Sequence, residues 1–283
     1  MQSIIAALLL GAAVTTGAVN PISSGGKQRQ YILYDPGATA TPKRVILAFH
    51  GLRQEAAELE KDTDINSFAK DSGYVVVYPM ALGKAWNAGR CCGSEDDMTF
   101  VDDLLTELRK RKDLDANKVF VVGMSNGGMM AYRLAAERPN DIAAIAVVAG
   151  SMEAATAPSK PIPVLHIHGT KDAVVRFDGK QSKLFKPSMA TQEAIDAWVT
   201  VNDCKKPPKL AQLAPAPMAV TREDYEPGTS EAEVVLITVE DGGHLWPGVP
   251  NPTFDPAWAA GLGQTNDKVV ATKIIGEFFE ANR

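Results

Sequence analysis

Val119-Phe120-Val121-Val122-Gly123-Met124-Ser125-Asn126-Gly127-Gly128 is an apolar run that breaks into Gly-x-Ser-x-Gly and passes at once into the helical pattern Met129–Glu137. A strand before the motif and a helix after it define a nucleophile elbow, in which serine sits on a sharp, strained turn. Gly123 and Gly127 remove Cβ atoms that would clash in that turn. The helix N-terminus behind Ser125 favours negative charge developing there.

On either side of the elbow the chain alternates strands and helices. The runs Tyr31–Tyr34, Arg44–Phe49, Tyr74–Pro79, Lys118–Gly123, Ile142–Ala149, Val164–His168 and Val234–Val239 are mostly unbroken Val/Ile/Ala. That is the pattern of strands buried on both faces of a parallel sheet. Met98–Lys112, Gly127–Glu137, Ser188–Asn202 and Asn266–Ala281 read as helices, the first with Asp96 or Asp97 as its N-cap. Pro207–Pro217 reads as a surface loop, and Gly242–Gly263 as a long irregular one. Short connections between alternating elements predict an α/β fold with a mostly parallel, doubly wound sheet and helices on both faces. With an elbow in it, this is the α/β-hydrolase fold in a single domain.

A serine hydroxyl needs a base to take its proton, and the chain has four histidines. His50 ends a strand upstream of the elbow. His166 and His168 alternate with Leu165 and Ile167 and read as packed scaffold. His244 lies in the glycine-flanked segment Asp241-Gly242-Gly243-His244-Leu245-Trp246-Pro247-Gly248, after the last clear strand. The fold orders its triad Ser, acid, His, so His244 is the expected base. Asp172, just past the strand Val164–His168, is the expected acid, whose task is to fix the imidazole tautomer. Asp178 competes with it, while Asp196 and Asp203 fit worse. The expected oxyanion donors are the backbone N–H groups of Asn126 and of Leu52 in the loop Phe49-His50-Gly51-Leu52-Arg53-Gln54. Trp86 and Trp246, with Trp258, are candidates to line a substrate cleft.

Composition narrows the remaining classes. Of 283 residues, 45% are hydrophobic and 22% charged, with a net charge of −5 and no basic run, so nucleic acid is not an expected partner. Neither zinc nor nucleotide motifs occur, and the acidic cluster Glu95, Asp96, Asp97, Asp102, Asp103 reads as helix capping rather than a calcium site. No cofactor or metal is expected. The first twenty residues carry no charged side chain, and Ile4–Val14 is apolar. Its length suits a signal peptide over residues 1–18 and not a membrane span, leaving a secreted catalytic domain over 19–283. Export permits disulfides. Adjacent Cys91 and Cys92 normally lie too close to bond to each other, so Cys204 is expected to pair with one of them.

Six segments carry a resemblance: Phe49-His50-Gly51, Trp86–Gly93, Asp96–Phe100, Gly123–Met130, His166–Asp172 and Gly242–Gly248. In this order the chain resembles the secreted polyhydroxybutyrate depolymerases and feruloyl or acetylxylan esterases of the carbohydrate esterase family 1 type. The resemblance covers the chain from about residue 30 onward. It implies the triad Ser125, Asp172, His244, an exported location, and serine hydrolysis of a polyester or plant cell-wall ester; separately, a monomer is expected. No Ser/Thr-rich linker or separate polymer-binding domain is read in this sequence, so strong adsorption to solid polyester is not expected. Arg53 also stands where such relatives often carry a small residue or Cys. A prolyl oligopeptidase-type peptidase shares the triad and elbow and is the alternative reading. A non-catalytic binding module is the other.

Overall fold

The computed structural model describes residues 16–89, 91–153, 158–183, 185–249 and 261–283. Each of the seven apolar runs lies in a strand, except that Ala149 falls just past the end of its own. In chain order the elements are β1 (Ala18–Ser24), β2 (Lys27–Tyr34), β3 (Lys43–Phe49), α1 (Ala56–Thr63), α2 (Ile65–Ser72), β4 (Tyr74–Pro79), α3 (Asp97–Arg109), β5 (Leu114–Met124), α4 (Asn126–Glu137), β6 (Ile142–Val148), β7 (Val164–Gly169), α5 (Thr191–Val201), β8 (Lys209–Ala214), β9 (Val220–Tyr225), β10 (Val234–Val239) and α6 (Ala271–Ala281). They build one mixed sheet in the order β1-β2-β4-β3-β5-β6-β7-β10-β9-β8. The six strands from β4 to β10 run parallel, and the outer pairs at both edges run antiparallel.

The unbroken apolar runs resolve into two faces. Val45, Leu47 and Phe49 of β3 pack with Leu104 of α3, Met130 of α4 and Trp198 of α5 in one core. Ile46 and Ala48 of the same strand pack with Leu59 of α1, Ile65 of α2 and Phe278 of α6 in the other. Successive side chains point to opposite faces, so a strand covered on both sides has no polar position to spare. Asp96 caps α3 by accepting from the Thr99 N–H at 3.1 Å. Asp97 turns inward instead and pairs with buried Arg29 at 2.7 Å.

Several expectations need correction. Lys209–Ala214, inside the stretch read as a loop, is strand β8, paired antiparallel with β9. β8 is an edge strand exposed along most of its length, so it carries no apolar alternation to read. The eight-residue helices α1 and α2 were also not expected, and α6 begins at Ala271 rather than Asn266. Cys204 is a free thiol that donates to the Ala232 carbonyl, and Cys91 is bonded to Cys92. The expected pairing of Cys204 with one of them is therefore not formed.

The expected leader lies outside the described residues except for its last three, of which Ala18 opens β1 opposite Leu33. Trp258 and much of the loop after Gly248 also lie outside them. No helix among the described residues is long and apolar enough to cross a membrane.

The parallel strands all end on the same side. The loops after β3, β5, β7 and β10 therefore converge along one edge, which is where ligands bind in open α/β sheets.

Candidate active site

Strand β5 ends at Met124 and helix α4 starts at Asn126, leaving one residue to reverse the chain. That residue, Ser125, has φ 54° and ψ −120°. A residue with a Cβ is rarely held there, at a cost on the order of 1–3 kcal/mol. Its backbone is clamped on both sides: Ser125 N–H donates to Val148 O at 2.8 Å, and Met129 N–H donates to Ser125 O at 3.0 Å. Gly127 makes the turn possible, because a Cβ there would stand 2.0 Å from the Phe49 carbonyl oxygen. Both atoms belong to packed backbone. Gly127→Ala is therefore expected to cost about 3 kcal/mol or more, seen as a large fall in Tm or as loss of soluble protein.

The other two loops meet backbone to backbone. Gly169, at the end of β7, lies so close to the loop after β10 that a Cβ would stand 2.3 Å from Gly242 O. Lys171 N–H donates to Gly242 O at 2.9 Å, and Asp241 N–H donates to Thr170 Oγ1 at 2.9 Å. This joint places Asp172 beside His244, 72 residues away in sequence, with His244 Nδ1 2.7 Å from Asp172 Oδ2. His244 Nε2 lies 2.9 Å from Ser125 Oγ. All three side chains are buried, each about 5% exposed. Asp172 Oδ1 accepts from the N–H groups of Val174 and Val175, both at 2.8 Å. Burial alone would push the Asp172 carboxyl up; charge on His244 and hydrogen bonds from His168 and His244 outweigh it and hold it well below the usual range. Asp178, the competing acid, is a surface residue paired with Arg176 at 2.7 Å and Lys180 at 3.3 Å. Asp196 and Asp203 sit at α5, bonded to Lys206 and Thr229.

In the loop after β3, Gly51 N–H donates to the Gln54 side chain at 2.9 Å, Gln54 N–H to Gly51 O at 3.2 Å and Arg53 N–H to Lys84 O at 2.8 Å. The N–H groups of Leu52 and Asn126 engage no acceptor among the described residues. Gly51 faces the elbow, since a Cβ on it would lie 3.6 Å from Ser125 Cβ. Gln54, which closes this turn, carries no motif that would have revealed it. The Asn126 side chain does a second job also hidden in sequence: it accepts from Trp86 N–H at 2.7 Å and donates to Trp86 O at 3.1 Å, tying the elbow to the strand–helix connection at 86–93.

Trp86 and Trp246 do not line a cleft. They are 0% and 2% exposed, and their indole N–H groups are satisfied by His50 O at 2.9 Å and Thr272 Oγ1 at 3.1 Å. Sequence proximity to His244 said nothing about direction: Trp246 points into the core beneath α6.

His50 is also internal, its Nδ1–H donating to Gly51 O at 2.8 Å and its Nε2 accepting from Ala81 N–H at 3.2 Å. Burial pushes its pKa down to about 4 from 6.5. Between those values the unfolded chain binds a proton that the folded one does not, so stability falls as pH is lowered through that window. His166, pushed down by burial as well, adds to the same slope. Denaturant melts are expected to show the loss on going from about pH 6.5 to about pH 4, and His50→Gln to flatten it.

A cavity of about 240 Å³ is lined by Leu52, Phe185, Cys91 and Cys92, by Met129, whose N–H bonds Ser125 O, and by Val174 and Val175, whose N–H groups bond Asp172. Arg176, Lys180, Lys186 and Glu153 also line it, with Arg176 and Lys180 paired to Asp178.

Residues 29–191 match the Esterase PHB depolymerase family. NocK of Nocardia uniformis subsp. tsuyamanensis, itself a candidate esterase, is 31% identical over 266 residues, covering 86% of this chain and 77% of NocK. Feruloyl esterase B of Piromyces equi is 28% identical over 222 residues, 74% of this chain and 40% of the relative, so the chain spans less than half the length of that protein. Acetyl xylan esterase from Aspergillus awamori shares the fold with a TM-score of 0.59 at 17% identity, over 81% of this chain and 94% of that one. A match over more than half its length, together with a relative above 30% identity across most of both chains, means that this protein belongs to the Esterase PHB depolymerase family and is a carboxylic ester hydrolase of the α/β-hydrolase fold.

Proposed function

We propose that the chain is an exported, monomeric serine esterase that works through an acyl-enzyme on Ser125. The observation that carries this reading is the continuous hydrogen-bonded line Ser125 Oγ, His244, Asp172 at a strained elbow. Asp172 accepts from His244 Nδ1–H and so leaves the Nε2 lone pair facing Ser125. Ser125 Oγ attacks the ester carbonyl as His244 takes its proton. The N–H groups of Asn126 and Leu52 receive the oxyanion, and the helix dipole of α4 adds to them. His244 then returns the proton to the departing alcohol. Water, activated by the same imidazole, releases the acid and restores Ser125.

The cavity supports the acyl side of the reading. Leu52, Met129, Val174 and Phe185 suit a short hydroxyacyl or aromatic acyl group. The uncharged, apolar N-terminal stretch and the bonded pair Cys91–Cys92 support export.

The test is pre-steady-state hydrolysis of a nitrophenyl ester, with mass spectrometry of the trapped protein. A burst close to one equivalent and an acyl adduct on the Ser125 peptide are expected. An adduct elsewhere, or steady turnover with none, would overturn the proposal. A panel of hydroxybutyrate oligomers, methyl ferulate, acetylated xylan and a proline-containing peptide amide then ranks substrates. Cleavage of the amide in preference to every ester would favour a peptidase.

A further inference from the structure

Strand β7 carries His166 and His168 two residues apart, so both rings leave the same face of the sheet. They stack 5.2 Å apart at 9°, and they are 0% and 2% exposed. Two imidazoles in a strand otherwise made of Val, Leu and Ile carry a desolvation cost unless every ring nitrogen finds a partner. Each does. Tyr132 Oη lies 2.6 Å from His166 Nδ1, His166 Nε2 lies 2.9 Å from His168 Nδ1, and His168 Nε2 lies 2.8 Å from Val175 O and 3.2 Å from Asp172 Oδ2.

For neutral rings, counting donors and acceptors assigns each hydrogen. Val175 O and the ionised Asp172 can only accept, so His168 carries its hydrogen on Nε2. Its Nδ1 is then an acceptor, which requires Nε2–H on His166. His166 Nδ1 is in turn an acceptor, and Tyr132 O–H donates to it. Thr191 Oγ1, 3.4 Å from His168 Nδ1, and the edge-on Phe177 ring complete the surroundings of His168, neither of them charged. With neutral rings the line of donors points one way and ends beside the triad acid.

We infer that His168 is a positioning residue for the reaction: its Nε2–H shares Asp172 Oδ2 with His244 Nδ1–H, while Tyr132 and His166 hold its tautomer. The inference rests on the triad reading above. With Val174 and Val175 on Oδ1, Oδ2 takes His244 Nδ1–H at 2.7 Å and faces His168 Nε2 at 3.2 Å, whose hydrogen Val175 O accepts at 2.8 Å. The carboxylate therefore cannot turn about its Cβ–Cγ bond without breaking hydrogen bonds on both sides. His168 also takes the Val175 carbonyl, so one imidazole secures both the acid and the loop that carries it.

The full-length protein is tested with His168→Met, which fills the space without a donor, and His168→Gln, whose side-chain N–H reaches near the position of Nε2. In His168→Met, kcat is expected to fall about 10- to 100-fold, the size of one hydrogen bond to a charged group. KM should stay within about twofold, as befits a residue that does not touch substrate. His168→Gln should recover most of the loss. The NMR resonance of the proton between His244 Nδ1 and Asp172 should move downfield in His168→Met, because the carboxylate has lost a competing donor, and return in His168→Gln. In the wild type, imidazole 15N spectra should show Nε2–H on both His166 and His168.

Wild-type kcat and an unmoved proton in folded His168→Met would overturn the inference. So would Nδ1–H on His168 in the wild type, a measurement that decides even if the Met variant does not fold. If Ser125→Ala is inactive while His168→Met is normal, this inference alone fails; if Ser125→Ala turns over normally, the triad reading itself fails.

Discussion

Replacing Ser125 with alanine is expected to lower kcat/KM for every ester the protein hydrolyses by about 10⁴-fold or more, with Tm within a few degrees of the wild type. The size follows from chemistry. Without Oγ there is no atom for His244 to activate, and what remains is the binding and polarisation that the cavity and the loop N–H groups give to attack by water. The small change in stability follows from geometry. Alanine keeps the Cβ, so the backbone at φ 54° is strained as before, and the bonds from Ser125 N–H to Val148 and from Met129 N–H to Ser125 O do not involve the hydroxyl. The check is steady-state kinetics on a nitrophenyl ester beside a thermal melt. Turnover within tenfold of wild type, with contaminating esterase excluded by active-site titration, would remove Ser125 from the mechanism.

Asp172→Asn is expected to reduce kcat by about 10⁴-fold while leaving the fold intact. An asparagine at 172 has one oxygen and one NH2 where the carboxylate has two acceptors. Val174 and Val175 offer two fixed N–H groups on one side, so the oxygen must face them and the NH2 must face His244. Against that NH2, His244 can keep a hydrogen bond only by presenting Nδ1 as an acceptor. Its proton then moves to Nε2, where it blocks removal of the Ser125 proton. The NH2 also faces the Nε2–H of His168, 3.2 Å from the same oxygen. Asp178→Asn, by contrast, should change kcat less than about twofold, because Asp178 is a solvent-exposed partner of Arg176 and Lys180. Reversal of that order in parallel kinetic runs would reassign the acid.

The parts of this protein legible in sequence are those whose signal is local. An apolar strand, a glycine-flanked serine and a helix follow one another within twenty residues, and both-face burial writes itself as unbroken Val/Ile/Ala runs in the central strands. The edges were illegible for the same reason. β1, β8 and β9 are held by backbone pairing to a neighbour and bury little, so their side chains keep no period. α1 and α2 are too short to display a face. The acid and base candidates came from chain order, which is a property of topology and can be applied without distances.

Direction and contact belong to the tertiary structure. Trp86 and Trp246 stand near reactive residues in sequence, yet both turn into the core, since a large ring next to a loop gains most by leaving water. The side chains of Gln54 and Asn126 matter through what they grip, and neither residue type announces a grip. His166 and His168 read as scaffold by their alternation, and they are buried; that the second one also reaches Asp172 depends on a loop folding back over the strand end. Ser125 and His244 are 119 residues apart in the chain and 2.9 Å apart in space. The sequence by itself determined the elbow, the two-faced sheet and the chemical types available at its carboxyl edge, because propensity and periodicity act over a few residues. Only the tertiary structure decided which hydrogen bonds those groups share, because a bond of that length depends on loops that pack against one another with no local sequence pattern to record it.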